Sequence, residues 1–251
     1  MAYFDLLYGF SCISGMSVRK KEDIHSKILA IFLSYGKDGY AALKSFLKTI
    51  SSSDVRFTEL NVRNPNIGFN DNFVDISIKD EQYYIIIENK IKGAKDGPSQ
   101  LARYIEGAVH GAHYDQKDVY LIYLTLDNST DVSKQSWRRC NNGKKTDYEN
   151  DFRGRYKHVT YRDHILPWLK NDLKRIVGDD RNLIGFVDIY IKCIEGTENE
   201  EAILKYINDN RGSWQEAMLE MYDSQDSSVW QRYASWLRAY RPCIHSQWSV
   251  S

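Results

Sequence analysis

Asp75, Glu88 and Lys90 are the residues of this 251-residue chain whose types and spacing could do chemistry. Twelve residues separate the two acids, and one separates Glu88 from Lys90. Two carboxylates and an ammonium gathered at one place can hold a hard divalent cation, or they can close on themselves as an ion-paired network. The run that precedes Glu88, Tyr83 to Ile87, is continuously apolar. That suits a central strand buried on both faces. Strand side chains alternate, so Glu88 and Lys90 share a face. Asp75 sits inside the preceding apolar run, and Lys79-Asp80-Glu81-Gln82 between the runs predicts a β-hairpin turn. A carboxylate in each of two paired, buried strands is costly unless it is ion-paired or metal-bound.

The elements around this hairpin must position it. From Glu22, apolar residues recur at Ile24, Ile28, Leu29, Ile31, Phe32 and Leu33, which predicts a helix ending near Gly36. A second helix fits Tyr40 to Ile50. Val55 to Val62 alternates and reads as a strand, and Asn64 to Gly68 reads as a turn. After the hairpin, Gly93 to Pro98 is a connection, and Ser99 is placed to cap a helix running to about His110. Val119 to Leu126 is another buried strand. Asp127 to His158 is long and polar without periodicity, as functional or mobile segments are. Helices fit Asp163 to Ile176 and Asn182 to Ile194, and Ala202 to Tyr240 is helical in pattern. The order predicts an α/β fold with a central mixed β-sheet flanked by helices. We expect a core over 1–195 and a helical C-terminal extension over 196–251 packed on it.

The spacing of Asp75, Glu88 and Lys90 resembles the active-site motif of the PD-(D/E)xK nuclease superfamily, with Val74 in place of the proline. Further segments carry the resemblance. IIIENKI followed by Gln100-Leu101-Ala102-Arg103-Tyr104 is similar to a bacterial and phage branch in which IENKI precedes a QLxRY helix. Glu22-Asp23-Ile24-His25-Ser26 resembles that branch's ExxHS helix, and Val119 to Thr125 its following core strand. His158 to Ile165 with Trp168-Leu169 resembles its SYxxHIxxWL element, Thr160 standing for the serine. The resemblance covers Glu22 to Leu169.

It implies a restriction-endonuclease-like core and a metal-dependent nuclease that cuts DNA in a restriction or anti-phage setting. Asp75 and Glu88 would then be ligands of Mg²⁺ or Mn²⁺, with the Asn89 carbonyl as a further oxygen, and Lys90 would act on the attacking water and the phosphorane. Glu22 is a candidate for a second metal or for orienting the nucleophile, or else an acid favoured by its helix N-terminus. Gln100 would lie beside Lys90. His25, Ser26 and Arg103 are candidates for phosphate contact, and Tyr104 for core packing. The alternatives are a nuclease-fold protein that binds or scaffolds without cutting, and an RNase on the same chemistry.

Formal net charge is zero, so any hold on nucleic acid must come from a local patch. Lys134 to His158 supplies one: Lys134, Arg138, Arg139, Lys144, Lys145, Arg153, Arg155 and Lys157 against Asp147, Glu149 and Asp151. Trp137 and Tyr148 within it are placed to stack on bases, and Arg138, Arg139, Lys144 and Lys145 to track the backbone. Cys12, Cys140, Cys193 and Cys243 are scattered and read as reduced thiols of a cytoplasmic protein. His110 and His113 have metal-like spacing but nothing nearby completes a zinc site. No apolar stretch is long enough to span a membrane. No phosphate-cradling glycine loop, dinucleotide fingerprint or serine-hydrolase elbow is present. The acidic, tryptophan-bearing C-terminal region, with Trp214, Trp230 and Trp236, either meets a partner chain or second copy, or is plain helical packing.

Overall fold

The computed structural model describes residues 21–35, 40–52, 57–71, 74–91, 95–141, 143–178 and 181–210. Seven strands occur among them: β1 (Asn66–Asp71), β2 (Val74–Lys79), β3 (Tyr84–Lys90), β4 (Val119–Thr125), β5 (Arg138–Asn141), β6 (Lys144–Asp147) and β7 (Tyr156–Thr160). β1, β2, β3, β4 and β7 lie side by side in that order in one sheet, and β5 and β6 form a separate hairpin. β1 to β3 pair antiparallel, while β3, β4 and β7 run parallel. The sheet is therefore mixed, and helices flank it: α1 (Lys21–Ser34), α2 (Ala41–Ile50), α3 (Gln100–Glu106), α4 (Lys174–Val177), α5 (Arg181–Glu195) and α6 (Glu200–Asp209). This is the expected α/β arrangement.

β3 is the middle strand, and all seven of its residues are buried. Alternation sends its side chains into two different cores. Ile85 and Ile87 join the larger cluster with α1, α2, α5 and α6, through Ile28, Phe32, Phe46, Phe186 and Ile203. Tyr84 and Ile86 join a smaller one with α3, through Leu101, Ala102 and Ile105. A strand covered on both faces needs no polar face, which is why the run reads as unbroken apolar sequence.

The β2–β3 hairpin pairs Ile76 with Ile87 and Lys79 with Tyr84. Asp80 closes its turn. Its side chain, 2% exposed, accepts from the backbone N–H of Arg63 at 3.0 Å, Asn64 at 3.2 Å and Glu81 at 2.7 Å. One carboxylate thus ties the hairpin to the chain entering β1.

Several expectations are revised. Of the run Val55 to Val62, the described residues 57–62 form no strand: Phe57–Glu59 is a 3₁₀ turn whose Phe57 is buried against Tyr120. The strand instead begins at Asn66, within the expected Asn64 to Gly68 turn. As an edge strand it accepts a proline just ahead of it. Asp127 to His158 contains the β5–β6 hairpin and packs inward. Trp137, Tyr148 and Phe152 are buried in the smaller core, with Trp137 edge-on to Tyr156 at 5.1 Å. Burial removes Trp137 and Tyr148 as surfaces for base stacking. The helix expected over Asp163 to Ile176 has wide π turns at Tyr161–Ile165 and Trp168–Leu173 around Pro167, a residue without the N–H that a regular helix uses. Thr160 caps its start, accepting from the Asp163 N–H at 3.0 Å.

The division near residue 196 falls in the tight turn between α5 and α6, where Gly196 takes φ +80°. Ile203 and Ile207 of α6 are part of the larger core. The N-terminal segment, Cys12, Trp214, Trp230, Trp236 and Cys243 lie outside the described residues. None of the described helices is long and apolar enough to cross a membrane.

Asp80→Ala removes the shared acceptor of three part-buried backbone donors. We expect a loss of about 2–4 kcal/mol, read as a lower urea midpoint at unchanged m-value. A midpoint within experimental error of the wild type would show that water replaces the carboxylate.

Candidate active site

The parallel strands β3, β4 and β7 end together, and antiparallel β2 begins at that same end. Open α/β sheets place ligands at such carboxyl ends. Extending the β2–β3 register one step beyond Ile76–Ile87 sets Asp75 opposite Glu88, so both acids lie on one face. Glu88 and Lys90 continue the row of Tyr84 and Ile86 on the α3 side. Asn89 continues the opposite row toward α1.

Lys90 Nζ lies 2.6 Å from Glu88 Oε1, with both side chains buried. Gln100, the first residue of α3, spans the pair. Its Nε2 donates to Glu88 Oε1 at 2.6 Å and to the Tyr104 hydroxyl at 2.8 Å, and its Oε1 accepts from Lys90 Nζ at 3.4 Å and from the Gly97 N–H at 3.0 Å. On the other side, the Asn89 N–H donates to Asp75 Oδ2 at 2.7 Å, and Asn89 Nδ2 donates to Ser26 Oγ at 3.0 Å. Ser26 Oγ donates in turn to the Glu22 carbonyl at 3.0 Å. Asn89 therefore links Asp75 to the helix that carries Glu22.

The electrostatics follow from burying acids together. Burial, then the nearby Glu88 and Glu22 carboxylates, push Asp75 up to about 7 against the pull of the Asn89 N–H and Lys90. Burial also raises Glu88, opposed by Lys90 and the Tyr104 hydroxyl. Burial would depress Lys90, but Glu88, Asp75 and Asp96 hold it above its ordinary value, so it stays an ammonium. Glu88 Oε2 and Glu22 Oε1 are buried carboxylate oxygens that no group among the described residues satisfies. An all-oxygen donor set of this kind fits a hard divalent cation.

The structure thus brings together Asp75, Glu88, Lys90, Gln100 and Asn89, with Glu22 close enough to act on Asp75. It does not bring His25 and Ser26 to a nucleic-acid surface. Both are 1% exposed. His25 lies 3.2 Å from the Tyr190 hydroxyl and 3.3 Å from Glu200 Oε1, and Ser26 serves Asn89. A side chain enclosed in this way cannot meet a phosphate from outside. Arg103 is exposed. Arg138 pairs with Asp147 at 2.7 Å on the exposed hairpin, whereas Arg139 is half-buried on Glu106 at 2.7 Å, spending its charge within the fold. Lys145 is exposed, and the side chain of Lys144 lies outside the described residues. His110 and His113 are exposed at the end of the α3 segment.

Two contributors were missed, and a third does more than expected. Tyr104 packs in the smaller core as read, and its hydroxyl also accepts from Gln100 and steadies Glu88. Asp96 bears on both Glu88 and Lys90 and accepts from the Tyr123 hydroxyl at 2.8 Å. Ser136, fully buried, replaces the expected Ser99 cap: Leu101 N–H donates to its Oγ at 3.1 Å and Ala102 N–H to its carbonyl at 3.0 Å. Ser99 is left-handed at φ 57° and makes no side-chain cap. Nothing local in the sequence marks a cap that arrives from a distant segment.

Because folding raises Asp75, the folded chain binds more protons than the unfolded chain between about pH 4 and 7. The metal-free protein accordingly loses stability as pH rises through that window. Asp75→Asn keeps an acceptor for the Asn89 N–H and removes the charge. It should raise the Tm of the metal-free chain by several degrees at pH 8, on a scale of roughly 2–4 °C per kcal/mol, with the difference fading below pH 4. An equal Tm difference at both pH values would exclude titration as its cause.

A family model described as the PD-(D/E)XK nuclease superfamily matches residues 13–192. No curated protein and no solved structure gives a match. With most of its length matched and a mixed sheet of restriction-endonuclease-like build, this chain belongs to the PD-(D/E)XK nuclease superfamily, whose members are generally nucleases.

Proposed function

We propose that the chain hydrolyses DNA phosphodiester bonds with Mg²⁺ or Mn²⁺ at the end of β2 and β3. The observation that carries this reading is the pair of unsatisfied buried oxygens, Glu88 Oε2 and Glu22 Oε1, beside Asp75. Asp75, Glu88 and the Asn89 carbonyl would hold the cation, with Glu22 at its margin. When bound, the cation supplies the Lewis acidity that eases deprotonation of water and offsets charge on the phosphate.

The remaining roles belong to the protein. Lys90 presents its ammonium beside Glu88 and is the donor for the attacking water and for the non-bridging oxygen that gains charge. Gln100 fixes Lys90 and Glu88 at once through its two ends. Arg103, Arg138 and Lys145 are the exposed cations for the backbone. A restriction or anti-phage setting is the one the sequence resemblance suggests.

The test is an incubation of the purified chain with labelled single- and double-stranded DNA and RNA in Mg²⁺, Mn²⁺ or EDTA. We expect DNA to be cut with either metal and not in EDTA. RNA cut in preference to DNA would shift the substrate while keeping the chemistry. No cleavage of any substrate would favour a binding or scaffold protein. Lys90→Ala should slow cleavage by about a hundredfold or more while calorimetric Mn²⁺ binding persists, whereas Asp75→Ala should lose both. Wild-type cutting by Lys90→Ala would reduce Lys90 to the counter-ion of Glu88.

The hairpin makes a separate prediction. Arg138→Gln with Lys145→Gln should lower the slope of log affinity against log salt by about one to two. Arg139→Gln should instead destabilise the hairpin, because its partner is Glu106. An unchanged slope in the double variant would place the DNA elsewhere.

A further inference from the structure

Among the described residues, one mixed group of metal-ligating side chains lies apart from the acids at the sheet end. His25 of α1, Cys193 of α5 and Glu200, the first residue of α6, offer a nitrogen, a sulfur and an oxygen all within 4.8 Å of one another. The two histidine nitrogens have different neighbours. Nδ1 meets the Tyr190 hydroxyl at 3.2 Å, and Nε2 meets Glu200 Oε1 at 3.3 Å.

We propose that His25, Cys193 and Glu200 form a zinc site that fastens α1 to the α5–α6 hairpin. Three observations carry it. The first is the donor set. Imidazole, thiolate and carboxylate suit a borderline ion such as Zn²⁺ and do not suit Mg²⁺. The second is spacing. Ligands at about 2.0–2.1 Å from a tetrahedral zinc are separated by about 3.3 Å, which is the separation of Nε2 and Oε1. The third is the arrangement behind the ligand. A zinc-bound histidine ordinarily has its other ring nitrogen held by a hydrogen-bonding group, and Tyr190 holds Nδ1 here.

The charge also balances. Glu200 is 1% exposed, and its carboxylate lies 3.3 Å from His25 Nε2. Zinc would bind the neutral imidazole, the carboxylate and the thiol, expelling the thiol proton to solvent. The dication is then matched by one carboxylate and one thiolate, with a water in the fourth position. The consequence reaches the candidate active site by way of the helix. His25 neighbours Ser26, which holds Asn89, and stands one turn from Glu22. His25 is therefore a positioning residue for that end of α1.

Cobalt separates this site from the carboxylate site, because only a thiolate ligand gives Co²⁺ an intense charge-transfer absorption in the near ultraviolet. The full chain, stripped by chelator and dialysed, is titrated with Co²⁺ and then Zn²⁺. We expect the thiolate band to grow to one equivalent of Co²⁺ and to vanish as Zn²⁺ displaces it. Cys193→Ser should abolish the band and weaken Zn²⁺ by at least about tenfold. Asp75→Asn should leave both unchanged. His25 is too deeply placed to be the sole variant, since its replacement breaks the clasp to Glu200 with or without metal. No thiolate band in the wild type, or a band that survives in Cys193→Ser, would overturn the proposal and leave the trio a metal-free histidine–carboxylate clasp.

Discussion

The structure depends on a buried ion pair at the end of its central strand. Glu88 and Lys90 meet at 2.6 Å with almost no exposure. Taking both charges from water costs several kcal/mol each, and their attraction offsets this only when further hydrogen bonds complete the geometry. Gln100 supplies those bonds to both partners, Tyr104 steadies Glu88, and Ser136 fixes the start of the helix that delivers Gln100. The polar segment after β4 thus has an architectural duty. Its Trp137 and Phe152 anchor it in the smaller core, so that Ser136 stands where α3 needs a cap.

Strand alternation then divides the labour. Even-numbered residues of β3 deliver Glu88 and Lys90 to α3, and odd-numbered ones deliver Asn89 to α1. Asn89 is the pivot: its N–H holds Asp75 and its side chain holds Ser26. Fully ionised, Asp75, Glu88, Glu22 and Lys90 would carry two net negative charges, a formal match for one dication. Without one, burial and mutual repulsion raise both Asp75 and Glu88 and favour uptake of a proton by the pair.

The legible parts of this site were those encoded locally. The β2–β3 hairpin could be read because two apolar runs flank a polar turn, and the acid–acid–lysine spacing sits on that hairpin. Gln100 could be read only through the likeness of its segment to a known one. What escaped was non-local. β1 was hidden because Asn, Pro and Gly around it spell a turn, while its strand conformation comes from pairing with β2. Trp137 and Tyr148 looked available for stacking because they stand among cations with no periodicity, yet an irregular segment can still bury its aromatics. His25 shares a helix with Glu22, but its partners, Tyr190 and Glu200, lie far along the chain. No helical spacing could have announced them.

The apolar character of β3 follows from its charged end. A cluster whose acids repel one another weakens the fold, and that loss must be offset by burial elsewhere, since a domain has only about 5–15 kcal/mol to spare. Tyr84 to Ile87 provide burial on both faces at once, each large side chain contributing roughly 1.5–3 kcal/mol, in the residues adjoining Glu88. They also exclude water from one side of the acids, which raises Asp75 and Glu88. The same four residues therefore create the electrostatic tension and offset it. A polar residue at Ile86 or Ile87 would admit water, relax the carboxylates toward ordinary acidity and loosen the strand that aims them. Fold stability and the perturbed acids are two consequences of one buried strand.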